Sequence, residues 1–128
     1  MTVLDMYFDF RCRFAEVTQK ADQAHLKLWG DLDPEYAYSW FESVAKAINI
    51  EMNKGAPSAH YVDVFKYFET QYKCGIDEVK DCIDVSFTEN LFWQVRVENA
   101  QGYWQVLPEL LKTLYIDFHA NLPTPDFR

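Results

Sequence analysis

Residues 75–93, GIDEVKDCIDVSFTENLFW, constrain the fold more than any other stretch of the chain. At about 100° per residue, Val79, Ile83, Phe87 and Asn90 fall on one face of a helix, and Asp77, Asp81, Asp84 and Thr88 fall on another. Such a helix has to join a core with one side while it presents carboxylates with the other. Ile76 before Asp77 has the character of a hydrophobic staple at the helix entry.

The other apolar stripes repeat the pattern. Val3, Tyr7, Phe10, Phe14, Val17, Ala21, Ala24 and Leu28 keep alternating four- and three-residue steps, a heptad seam that predicts one helix over about 3–29. Met6, Phe8, Phe10, Cys12 and Phe14 also alternate with polar neighbours, so a strand over 4–14 is the alternative. Gly30 closes the first helix. Asp33-Pro34-Glu35 starts a second over about 34–53, with an N-cap carboxylate and Pro at the first helical position. Lys54-Gly55 ends it, and Ser58 is the expected cap of a third helix over 59–73 that Cys74-Gly75 terminates. Residues 98–103 have turn chemistry and are assigned to a loop. Pro108 opens a last helix with Leu110, Leu111, Leu114, Tyr115 and Phe118 on its buried stripe, ended by Leu122-Pro123-Thr124-Pro125. The expectation is all-α: a compact bundle of about five helices forming a single domain over 1–128.

Charge narrows the function classes. The chain carries 20 Asp and Glu against 12 Lys and Arg, a net charge of −8. Phosphate backbones and anionic bilayers are repelled by such a field, and a basic protein is attracted. Nucleic acid and membrane are therefore not the expected partners. The three cysteines, Cys12, Cys74 and Cys82, have no CxxC spacing and no zinc-spaced histidines, and are read as free buried thiols of a reducing compartment. The first ten residues lack a signal-peptide pattern and no apolar run reaches about 18 residues, so a cytoplasmic location is expected.

No GxSxG, HExxH, phosphate-binding glycine loop or dinucleotide fingerprint is present, so neither catalysis nor a cofactor or metal is expected. His25 and His119 lie near predicted helix ends, where surface or capping roles suit an imidazole. Asn90, on the apolar face, needs backbone partners at a helix end. The chemistry-bearing set is Asp77, Glu78, Asp81, Asp84 and Glu89. Like charges at helical spacing cost about 0.2–0.5 kcal/mol per pair, and only Lys80 interrupts them. The helix dipole offsets part of that cost for the acids of the first turns. Trp93 and Trp104, flanking the expected loop, are the aromatic anchors that would complete a surface facing an Arg/Lys-rich partner.

The residues DVSFTENL at 84–91, following a short acidic helix and preceding LPELLKTLY at 107–115, resemble a family of small acidic helical bacterial proteins of unknown function. Some of its members look like immunity proteins of interbacterial toxin systems, contact-dependent growth inhibition among them. The similarity spans about residues 60–119. It implies an all-helical fold, no catalytic residues to carry over, and protection of the producing cell by sequestering a toxin. The reading of the sequence is then an immunity protein that binds a cognate toxin, a basic nuclease being the kind whose surface fits. The alternative is a structural or adaptor subunit that self-associates through the heptad seam of its first helix.

Overall fold

A computed structural model describes residues 1–123. Among the described residues seven α-helices form: α1 (Val3–Arg13), α2 (Ala15–Trp29), α3 (Ala37–Asn53), α4 (Val62–Cys74), α5 (Asp77–Asp81), α6 (Val97–Val106) and α7 (Glu109–His119). The all-α expectation holds, and among the described residues no strand forms, at 4–14 or elsewhere. The expected stop at Thr124-Pro125 lies outside the described residues.

The single N-terminal helix is in fact two. Phe14, at φ −125° and ψ 67°, ends α1 by donating its N–H to the Phe10 carbonyl and begins α2 by accepting from Thr18. Neither Gly nor Pro marks the break. Packing makes it: Phe14 stays against Phe10 and Tyr67, with ring centroids 4.9 and 5.4 Å apart, while α2 turns to lie along α3. The bend is clamped by Asp22. Its carboxylate accepts two hydrogen bonds from the Arg11 guanidinium, at 2.7 and 2.9 Å, and a third from the Trp40 indole N–H at 2.9 Å. Charge-assisted, bidentate bonds of this kind are about twice as strong as neutral ones.

The heptad seam is consumed by this arrangement. Val3, Tyr7, Phe10 and Ala21 are buried in the chain's own core and Phe14, Val17 and Ala24 pack partly buried against it, while Leu28 at the end of the seam is exposed. The core runs from Phe10, Trp40 and Phe41 to Phe68, whose ring stacks on Phe87 at 4.0 Å between centroids.

Several local expectations hold and others are corrected. Gly30 caps α2 at φ 83°, and Asp33 accepts the Glu35 N–H at 3.0 Å, although the first turn after it is a 3₁₀ turn, Pro34–Tyr36. Ser58 caps nothing; a second 3₁₀ turn, Ser58–Tyr61, precedes α4. Gly75 is required by space, since a Cβ there would lie 2.5 Å from the Gln71 carbonyl oxygen and 2.8 Å from Val79 Cγ1. Ile76 is half exposed. The stretch 98–103 is not a loop but the body of α6, where Ala100 and Tyr103 bury themselves and the Tyr103 hydroxyl donates to the Ala56 carbonyl. Tertiary burial here overrides the poor helix propensity of Asn99 and Gly102. Of the cysteines, only Cys82 is buried, and burial pushes its thiol up to about 12; Cys12 and Cys74 are exposed.

The clamp gives the first test. Asp22→Ala strands the Trp40 N–H, whose residue is 1% exposed, and should lower stability by about 2 kcal/mol in urea unfolding. Glu109→Ala breaks a pair whose acid is 88% exposed and should change stability by less than about 0.5 kcal/mol.

Candidate partner-binding surface

The segment after α5 does not continue as an α-helix. Residues Cys82–Phe87 wind as a π-helix and Thr88–Asn90 as a 3₁₀ turn. The i→i+5 winding inserts an extra residue into the turn, a feature that recurs at functional sites. It re-sorts the two stripes: Val79, Ile83 and Phe87 enter the core as expected, but Thr88 joins them, fully buried. The acidic face therefore ends at Asp84 and resumes at Glu89, one residue later than a regular helix places it.

Each predicted acid has a distinct placement. Asp77 is exposed in the first turn of α5. Glu78 Oε1 accepts the Val3 backbone N–H at 2.8 Å, so it caps the start of α1. Asp81 accepts a short hydrogen bond from the Tyr38 hydroxyl. Asp84 and Glu89 are half-buried and, among the described residues, neither forms an ion pair or accepts a side-chain hydrogen bond. Lys80 is not their counter-ion within the protein; its ammonium lies 5.8 Å from the Tyr72 ring centroid.

Crowding is visible in their protonation. Burial pushes the Asp84 carboxyl above its ordinary value, and the charges of Asp81 and Asp117 push it further. Glu89 is pushed up by burial and by Asp84, with His119 offsetting part of this and Asp81 adding to it. Asp117, exposed on α7, belongs to this cluster although sequence reasoning missed it: its helix is distant in the chain and packs beside the π-helix. His119 Nε2–H donates to the Glu89 carbonyl at 3.0 Å, with its ring stacked on Tyr115.

The two predicted anchors separate. Trp104 is buried, a correction that follows from α6 being a helix: its ring meets Phe92 and Tyr115 edge-on at 5.7 Å. Trp93 is 66% exposed. It stands between Phe92 and Gln94, which take positive φ of 68° and 56°, a region non-glycine residues occupy at a cost. Two asparagines of α3 hold that conformation. Asn49 Oδ1 accepts the Phe92 N–H at 2.9 Å and its Nδ2 donates to the Asn90 carbonyl at 2.8 Å; Asn53 Nδ2 donates to the Gln94 carbonyl at 3.0 Å. Asn90 itself ties back to its own turn, donating to the Ser86 carbonyl at 2.8 Å, the backbone role expected of it. His25, expected near the surface, is instead buried beside Ser43.

Among the described residues, no group of three His, Cys, Asp or Glu side chains is disposed to hold a metal ion, and no helix is long and apolar enough to cross a membrane.

Asp84 supplies a thermodynamic test. Its folded-state pKa is raised, so the charged form costs stability above that pKa, and the cost is relieved as pH falls through it. Asp84→Asn should raise the melting temperature by about 1–2 °C at pH 7, the scale of relieving like-charge pairs. Scans at falling pH should show the difference disappear toward pH of about 3.9, where the unfolded-state carboxyl also protonates.

Comparison with curated proteins and with solved structures gives no match. Over residues 8–121 the chain matches the family described as Domain of unknown function (DUF7674), and it belongs to that family.

Proposed function

We propose that this protein is a non-catalytic inhibitor that binds a basic protein, and that in its biological setting it is a cytoplasmic immunity protein neutralising a cognate toxin. The observation that carries this reading is the convergence of Asp81, Asp84, Glu89 and Asp117 from two parts of the chain with no lysine or arginine paired to them among the described residues. A fold under selection for stability alone gains nothing from half-burying Asp84 and Glu89 beside like charges. A partner's Arg and Lys side chains would offset that cost on binding and would be steered toward it before contact.

Trp93 supports the same reading. An indole held out on a strained turn, fixed from behind by Asn49 and Asn53, is a rigid aromatic contact of the kind that dominates interfaces. A nuclease toxin fits this surface because its substrate-binding face must itself be basic. The resemblance of residues 84–91 and 107–115 to a family of small acidic helical proteins, some of which look like immunity proteins, gives the proposal its biological form. Self-association through the N-terminal seam is the weaker reading, because Val3, Tyr7, Phe10 and Ala21 of that seam lie in the core.

The test uses the intact chain and the product of the neighbouring gene, co-expressed and purified. The expected result is a stoichiometric complex that weakens as salt rises, together with rescue of growth when the neighbouring product is toxic. Asp84→Lys combined with Asp117→Lys should lower affinity by about 10–100-fold and abolish rescue while the circular dichroism spectrum is unchanged. Asp81 is left intact because Tyr38 depends on it. Full affinity of the double variant at low salt would remove the acidic surface from the account.

A further inference from the structure

A second site lies where α2 meets the turn before α3. His25, Trp29, Asp31, Tyr36 and Ser39 line a cavity of about 290 Å³, room for on the order of ten waters. Trp29 and Tyr36 are 57% and 58% exposed, two large rings that the fold leaves uncovered at its mouth.

The cavity's wall contains a buried polar group with one atom unused. His25 is 2% exposed, and its Nδ1 sits 2.8 Å from the hydroxyl oxygen of fully buried Ser43. Nδ1 is the one hydrogen-bond partner this hydroxyl has among the described residues, and the reverse direction would leave a buried hydroxyl proton unpaired, which favours the tautomer in which Ser43 donates to Nδ1. Burial pushes the His25 imidazole below its ordinary value, against the pull of Asp22, Asp31 and Glu42, which keeps the ring neutral at pH 7. A neutral ring that accepts at Nδ1 carries its proton on Nε2, and Nε2 has no partner within the described residues. The cavity thus offers the His25 Nε2–H as a donor.

Charge completes the recognition. Asp22 and Glu42 are neutralised by Arg11 and Lys46, but among the described residues Asp31 is paired with no cation and no cation lines the cavity. Two accessible aromatic faces beside a free carboxylate attract a cation, and a desolvated cation–π contact contributes about 0.5–2 kcal/mol.

We propose that this cavity binds a basic amino-acid unit, its guanidinium or ammonium between Trp29, Tyr36 and Asp31 and its carbonyl accepting from His25 Nε2–H. The site shares no residue with the acidic surface and does not depend on the toxin-binding reading.

Nuclear magnetic resonance titration of the intact protein tests it with three probes: N-acetyl-arginine amide, free L-arginine, and N-acetyl-citrulline amide as the neutral isostere. Saturable shifts of the Trp29 indole and His25 Nε2 resonances are expected with arginine and not with citrulline. Tighter binding of the capped form assigns the site to an arginine displayed by a protein, and tighter binding of the free form to a soluble amino acid. Trp29→Leu and Asp31→Asn, both at exposed positions, should each weaken binding by about 2–30-fold. No saturable shift at 50 mM of either arginine probe, equal binding of citrulline, or unchanged affinity in both variants would overturn the proposal.

Discussion

The carboxylate of Asp22 is the constraint on which the rest of the molecule depends. It gathers Arg11 from α1 and the Trp40 indole from α3 onto a position in α2, and so fixes three helices with one side chain. A bend at Phe14 without Gly or Pro has no local cause strong enough to hold it. Once the bend is set, Phe10 faces Trp40, Phe41 and Phe68 together, and the aromatic core closes around it. The cavity at His25 lies at the other end of α2, where the chain turns into α3.

A chain of ring contacts carries that constraint to the acidic surface. Phe68 on α4 stacks on Phe87 in the π-helix, and α3 packs along the whole of that segment. Wide winding buries Ile83, Phe87 and Thr88 together, and it sets Asp84 near Asp117 of α7 and Glu89 near Asp84. The energetic conflict is local: apolar burial pulls the segment inward while the half-buried carboxylates of Asp84 and Glu89 resist dehydration. Burial wins because the apolar residues are fully enclosed and the acids only partly so. The residual cost is what a cationic partner would relieve.

The helical character of the chain was legible because its stripes are long and its stops are marked: Gly30 caps α2 in the left-handed region, Asp33-Pro34 opens a helical turn, and Gly75 stops α4, although by close packing and not by a positive φ. The break at Phe14 was not legible, since it arises from ring packing between residues far apart in sequence. Helix α6 was misread for the same reason, with Asn99 and Gly102 signalling a turn that the burial of Ala100 and Tyr103 overrules. That error also misplaced Trp104, which a loop would expose and a helix turns inward. Within the acidic set, the sequence identified Asp81, Asp84 and Glu89 but could not show that Glu78 is spent on capping α1 or that Asp117 arrives from α7. Nor could it show that the His25 imidazole is buried against Ser43, because a lone histidine near a helix end carries no signal of what packs over it.

Carboxylate-detected nuclear magnetic resonance titration of the free protein tests the central claim most directly. It reads the protonation of Asp84 and Glu89 one by one. The account predicts that both titrate above the ordinary carboxylate range, about 4, with Asp84 returning toward that range in Asp117→Asn. Titration of both at or below it would mean that these groups are solvated or already compensated, and that the acidic surface holds no unmet charge for a partner to satisfy.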